Sequence, residues 1–344
     1  MIGRRAWLQA TAVAGLNALT GCKPSEKERA VASRLVQKMT THAIGRHLVD
    51  VPADFSMEGG SVVLTYGLDK DFTTVRVEVK SFAATAESFA SFVRKRSLEI
   101  SSETHDKLVN TSMLIETIEL SPNAVLLRSY DNSLMTDAFR TRLIALVGTV
   151  LMTASQDSYK GNYAPATQRL TRVASQLSAS DGDAVGGKGF RIGKLLIAAD
   201  HDQEYGDVFF RSKAANAVLI EVLVDAIAPN PSPSLLGRWD SADWVEATMG
   251  RKPKTARRGQ ITLAGMQGEE LLTKADMNGR LVMKIWAESK RPTPGFATPL
   301  LDVQIDTEPN SLEDKAVPAP WTEQDTTAVW DAIVKSARSR PGAV

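Results

Sequence analysis

One cysteine, Cys22, occurs in the 344 residues, so the chain forms no internal disulfide and its stability rests on core burial. Zinc sites built on cysteine pairs are excluded with it, and the four histidines, His42, His47, His105 and His201, contain no H-E-x-x-H pattern. No G-x-S-x-G elbow occurs, so esterase chemistry of that kind is not indicated. Gly186-Gly187-Lys188-Gly189 lacks the spacing and the following Ser or Thr of a phosphate loop, and reads as linker. An excess of one charge is also missing: 41 basic residues stand against 40 acidic ones. Nucleic acid, which needs a basic surface, is therefore not expected as the partner. No stretch reaches the ~18 consecutive apolar residues of a membrane span. The nearest, 143–152, is flanked by Arg140 and Arg142 and is expected to be one buried strand. These absences leave no residue to name as catalytic, cofactor-binding or metal-ligating, and the chain is expected not to be an enzyme.

What is present begins at the N-terminus. Arg4 and Arg5 form a short positive region, residues 6–18 carry no charge and are mostly apolar or small, and Leu19-Thr20-Gly21-Cys22 follows. This is the layout of a secretory signal. The last four residues resemble the bacterial lipobox, which implies cleavage before Cys22 and lipidation of its thiol. Gly3-Arg4-Arg5-Ala6-Trp7-Leu8-Gln9 also resembles a twin-arginine export signal. Residues 1–21 are thus expected to be a signal peptide and 22–42 a lipidated tether, polar and charged over 23–38. The mature chain would hold 39 basic and 40 acidic residues. Lys23 stands where lipoproteins retained in the inner membrane often have Asp, which favours the outer membrane.

The remainder reads as α+β. Val75-Arg76-Val77-Glu78-Val79-Lys80 alternates with period two, as a strand with one wet face does. Strands are also expected at 62–66, 113–120, 124–130, 208–210, 217–224, 259–264, 269–274, 280–287 and 300–306. Thr85 is placed to cap a helix over 86–101, and a second helix covers about 163–178. Pro233 and Ser234 start a helix carrying Leu235, Leu236, Trp239 and Val245. Thr322 and Asp325 open a final helix with Val329, Trp330 and Ile333 on its apolar face. Segment 178–187 is small and polar and is the expected linker. The halves share the order strands, helix, strands, helix. Phe190-Arg191-Ile192-Gly193-Lys194-Leu195-Leu196-Ile197 echoes Ala43-Ile44-Gly45-Arg46-His47-Leu48-Val49. The expectation is two similar domains, 43–180 and 181–344, each a largely antiparallel sheet with packed helices, related by an old duplication. Asp200-His201-Asp202-Gln203-Glu204 is a charge run, expected to be solvated surface rather than a cation site.

Four segments carry a family resemblance. They are Ile44-Gly45-Arg46-His47-Leu48-Val49-Asp50-Val51-Pro52, Gly189-Phe190-Arg191-Ile192-Gly193, Leu263-Ala264-Gly265-Met266-Gln267-Gly268-Glu269-Glu270 and Val329-Trp330-Asp331-Ala332-Ile333. In this order and spacing the chain resembles the immunity proteins paired with type VI secretion lipase effectors. The resemblance implies a two-domain periplasmic inhibitor that protects a bacterium from injected phospholipases. It would bind an α/β-hydrolase effector, grip the lipase cap and block access to the active site. The four segments are structural, so no binding residue is transferred. The other reading is an envelope lipoprotein that holds a small ligand or lipid in a cleft between its domains, which a large apolar pocket there would favour.

Overall fold

The computed structural model describes residues 34–68, 72–180, 186–213, 218–242, 253–277, 280–291, 293–307 and 321–344. The export-signal residues Arg4, Arg5, Leu19, Gly21 and Cys22 lie outside the described residues, as do Trp244 and Val245. The first half runs β1 (Met39–Gly45), β2 (His47–Pro52), β3 (Phe55–Tyr66), β4 (Thr73–Ser81), α1 (Ala86–Ser102), β5 (Leu114–Ser121), β6 (Ala124–Tyr130), β7 (Phe139–Val147), β8 (Val150–Ser158), α2 (Ala164–Ser175) and β9 (Leu177–Ala179). The second runs β10 (Phe190–Ile192), β11 (Leu195–Ile197), β12 (Gln203–Ser212), β13 (Leu219–Asp225), α3 (Leu235–Asp240), β14 (Lys254–Leu263), β15 (Met266–Met277), β16 (Arg280–Ser289), β17 (Leu300–Asp306), α4 (Glu323–Ser336) and β18 (Arg338–Ser339). The class is α+β with antiparallel sheets.

Both halves lay their strands in the same order. A 12-stranded sheet reads β14-β15-β16-β17-β13-β12-β3-β4-β8-β7-β6-β5. Counted outward from its middle, each half contributes a long first strand, then its second, sixth, fifth, fourth and third. Helices follow the second and sixth strands in both. A six-stranded sheet, β18-β2-β1-β10-β11-β9, joins the two leading hairpins. Equivalent strands meet antiparallel at both centres, Ile44 opposite Ile192 in one sheet and Gly60 opposite Val208 in the other. Antiparallel pairing of equivalent strands is the relation of a local twofold axis. Gly45 and Gly193 sit at matching hairpin turns with φ of 56° and 55°. This repetition supports an internal duplication.

Period-two alternation assigns the faces. On the inner face Val62, Val77, Val208, Val222 and Val303 belong to one core that spans both halves. The six-stranded sheet supplies Ile44, Val49 and Phe190 to it, α2 supplies Leu170 and Val173, and α4 supplies Val329, Trp330 and Ile333. On the opposite face α1 packs Phe89 and Ile100 against Leu127, Ile144 and Leu151, a separate cluster. Both capping expectations hold. Thr85 and Ser88 form a reciprocal box at α1, and Thr322 and Asp325 form one at α4, so each satisfies amide groups the helix leaves open.

Two expectations need correction. The run 143–152 is a hairpin, not one strand: Gly148, at φ 59°, turns β7 into β8. Apolar residues on both strands concealed a turn that only glycine marks. Segment 178–187 does not separate two loosely joined bodies. Leu177–Ala179 is β9, paired to β11, and the halves are zipped by the β3–β12 ladder from Gln203 opposite Thr65 to Ser212 opposite Phe55. Residues 181–185 lie outside the described residues.

Candidate functional site

The long sheet has a central face that no described helix covers. α1 covers its first-half end, over β5 to β7. At the other end α3 is tied down where the Leu236 amide donates to Glu269 Oε2 at 3.0 Å. Between them lie β8, β4, β3, β12, β13 and β17, six strands spanning roughly 25 Å at ~4.8 Å each. Among the described residues no element packs over β4, β3, β12, β13 and β17, and α1 reaches only the Leu151 end of β8. The alternation that sends Val75, Val77 and Val79 inward sends Arg76, Glu78 and Lys80 outward. Likewise Asp302, Gln304 and Asp306 face out from β17, and Tyr205, Asp207 and Phe209 from β12.

The two ends of this face carry opposite charge. Toward the second half, Ser61 donates from its amide and its hydroxyl to Asp207 Oδ1, at 3.1 and 2.7 Å. The Trp286 indole donates to Gln304 Oε1 at 2.9 Å, and Lys284 pairs with Asp306 at 2.9 Å. Burial pushes the Asp302 carboxyl up to about 7; the Gln304 hydrogen bond opposes this, and Glu288 and Glu221 add to it. Glu221 is raised as well, by burial and then by Asp207. Toward the first half, a cleft of about 870 Å³ opens between α1 and strands β4, β7 and β8. Arg142 stands in it, pushed down to about 10 by burial and by the neighbouring Arg96 and Arg140. The cleft is lined largely by charged groups and lies within the first half, so it is not the apolar pocket between domains that a small-ligand carrier would need.

A second constellation sits under the sheet, between the two halves. Arg46 Nε and Nη2 donate to Glu204 Oε1 and Oε2 at 2.8 and 2.9 Å, with the two side chains 3% and 1% exposed. His201 Nε2 lies 2.8 Å from Glu204 Oε2, and the Arg46 guanidinium stacks 4.1 Å over Phe296. The charge run at 200–204 is therefore partly interior, against the expectation of a wet loop. Glu204 is buried because a cation from the other half meets it there. Burial opposes ionisation of Glu204, but hydrogen bonds from His201 and Arg46 prevail and hold its carboxyl below the usual range. His47, buried beside them, is pushed down to about 4 by burial; Glu204 pulls the other way, and Arg340 and Arg46 push it lower. Nothing reactive faces an opening here, and the constellation bonds the halves together. No group of three or more metal-binding side chains occurs among the described residues.

Comparison with known proteins bears on what the open face meets. Residues 186–342 match the family model described as "Tle cognate immunity protein 4 C-terminal domain". The Tli4-type fold extends over nearly the whole chain. The apo structure of immunity protein TplEi of the type VI secretion system from Pseudomonas aeruginosa is similar at 20% identity and TM-score 0.65, covering 89% of this chain and 98% of that one. The structure of a Tle4–Tli4 complex is similar at 20% identity and TM-score 0.66, covering 89% and 99%. TplEi bound to an "L" peptide matches at 19% identity and TM-score 0.60, covering 88% and 98%. No curated protein matches the chain in sequence. The four segments behind the resemblance fall on the β1–β2 hairpin, on β10, on the β14–β15 turn and on α4, which are interior or turn positions. None lies on the open face. The residues that line it were visible in the sequence only as the polar phase of period-two strands.

Proposed function

We propose that this protein is an immunity protein that binds and inhibits a cognate type VI secretion phospholipase effector in the periplasm. The match of residues 186–342 to the Tle cognate immunity family carries this reading, and the shared fold over 89% of the chain supports it. The open face is the docking surface in this reading. Nanomolar affinity requires about 12 kcal/mol of net binding free energy, and standard interfaces bury ~1,600 Å². A face six strands wide, bordered by α1 and α3, offers a surface of that order. Tyr205, exposed near its middle, and Phe72 and Tyr159 at its first-half end supply aromatic anchors of the type that dominate interfaces. Seated there, the protein would grip the cap of an α/β-hydrolase and hold its active site closed to lipid. Its own role is inhibitory and not catalytic.

Cys22 completes the proposal. Lipidated after removal of residues 1–21, it would tether the inhibitor to the membrane that the effector attacks, with the outer membrane favoured by Lys23. Two measurements separate these claims. The lipase encoded beside this gene, expressed with the mature chain, is expected to co-purify with it and to lose toxicity in the periplasm. Absence of both complex and protection would remove the inhibitory function. Fractionation of Cys22→Ala is expected to release the protein from membranes, and persistent membrane association would remove the anchor.

A further inference from the structure

We infer that the cleft between α1 and the first half of the long sheet is the seat for an acidic segment of the lipase partner. The inference rests on the proposed function and names the chemistry of the contact. Six cationic and three acidic side chains line the cleft. Each acid is already engaged: Glu78 with Lys80, Glu99 with Arg96 at 2.9 Å, and Asp157 with Arg140 at 2.6 Å. Arg76, Lys95 and Arg142 remain, with no carboxylate at ion-pair distance among the described residues. Arg142 makes one neutral bond, from Nη1 to Ser129 Oγ at 3.0 Å. Arg142 is partly buried beside Arg96 and Arg140 and feels Asp157 and Asp131 only beyond ion-pair distance, so a carboxylate from outside relieves it.

The walls decide which anion fits. Phe92 and Ile144 are among the lining residues, and Phe72 and Tyr159 stand at its margin, 68% and 57% exposed. Apolar and aromatic surface next to unpaired cations suits an occupant that carries both carboxylates and apolar atoms, as an acidic loop does. A bare inorganic anion would leave that surface wet. The cleft shares β4 and β8 with the open face, so a partner seated on the face reaches it without a gap. The opposite end presents Asp302, Glu221 and Asp207. A partner docked in reverse would bring its acidic segment among carboxylates and would forgo the pairing that the cleft supplies. The charge gradient thus fixes the orientation of the lipase on the clamp.

The test uses the full mature chain with Arg76→Glu and Lys95→Glu combined, both at exposed positions, and a second variant with serine at both. Unchanged circular dichroism and melting establish that each is folded. Binding to the lipase encoded beside the gene is measured by surface plasmon resonance at low and high salt, and binding of an octaglutamate peptide by calorimetry. The glutamate variant is expected to bind the lipase at least tenfold more weakly and to lose most of the salt dependence of association; the serine variant falls between. Octaglutamate is expected to bind the wild-type chain and to compete with the lipase. Equal lipase affinity in wild type and both variants overturns the inference while leaving the proposed function standing. Failure of the wild-type chain to bind the lipase overturns the function instead. In that case saturable octaglutamate binding that is lost in the variants supports the cleft's preference, and its absence overturns that too. Binding of phosphatidylglycerol vesicles but not of octaglutamate, with the same loss in the variants, also counts against an acidic segment.

Discussion

Glu204→Leu tests whether the two halves are bonded through their buried charges. In the folded protein Arg46 and Glu204 meet at 2.8 and 2.9 Å in a bidentate pair that is almost solvent-free. Removing the carboxylate leaves the guanidinium with the Ala343 carbonyl and the Phe296 ring, neither of which balances its charge. It also strips His201 of its 2.8 Å partner. Breaking one side of such a pair costs about 3–5 kcal/mol. Replacing both partners, as in Arg46→Met with Glu204→Leu, leaves no orphaned charge and is expected within about 1 kcal/mol of wild type. Urea unfolding followed by tryptophan fluorescence reads both, since Trp330 lies in the shared core. The single variant should lower the midpoint without changing the slope, in one transition, because the pair ties strands of both halves. A loss below about 1 kcal/mol in the single variant, or a double variant as unstable as the single, would refute the reasoning.

Three further predictions concern the same interior and the open face. His47 is held near 4 by burial, whereas the unfolded chain protonates it at 6.5; the unfolded state therefore holds more protons between these values and stability falls as pH drops across them. The full window is worth about 3 kcal/mol, and His47→Gln should flatten the difference in urea midpoint between pH 7 and pH 5; an unchanged difference would count against it. Asp302 has the opposite sign: burial raises it to about 7 against 3.8 unfolded, so stability falls as pH rises through that window. Asp302→Asn should raise stability at pH 8 by roughly 1–3 kcal/mol, and an equal or lower midpoint there would sink the idea. At Gly206 a Cβ would meet Phe190 Cζ at 2.5 Å and the Ser61 carbonyl oxygen at 2.6 Å, where the two sheets close on each other. Gly206→Ala should cost about 1–3 kcal/mol by thermal melting, and a neutral result would show that this contact has slack.

Much of the fold was readable because it follows from local rules. The helix over 86–102 and its Thr85 cap, the helix opened by Thr322 and Asp325, and strands such as 124–130 and 300–306 each announce themselves through period or cap chemistry. What failed depends on contacts distant in sequence. The burial of His201 and Glu204 depends on Arg46, 158 positions from Glu204 along the chain. Nothing local to the 200–204 run marks it as interior. The 143–152 hairpin failed for another reason: within that stretch β7 and β8 are apolar on both faces, Leu143, Ala145, Val150 and Met152 toward the core and Ile144 and Leu151 toward α1, so alternation gave no sign of the turn at Gly148. The candidate face was legible only in part. Val75-Arg76-Val77-Glu78-Val79-Lys80 shows which residues leave the core, but not that no described element covers them.

The repeated strand order also bears on why the open face differs so much between its ends. Equivalent strands of the two halves must satisfy the same inner packing. Thus β4 sends Val75, Val77 and Val79 inward, and β13 sends Ile220, Val222 and Val224. Outward, the same two strands present Arg76, Glu78 and Lys80 in one half and Leu219, Glu221 and Leu223 in the other. The pair β8 and β17 repeats the contrast: Val150, Met152 and Ala154 match Leu301, Val303 and Ile305 on the inside, while Thr153, Ser155 and Asp157 face Asp302, Gln304 and Asp306 across the open side. A core shared across a local twofold axis holds both halves to one backbone and one pattern of volumes. The outer side chains are free of that constraint. Their split into a cationic end with an aromatic margin and an acidic end serves no packing need in the free protein, and burying Asp302 among other acids carries a stability cost. The proposed partner, a single asymmetric surface lying across both halves, would account for the split, because each end would then answer to a different part of it.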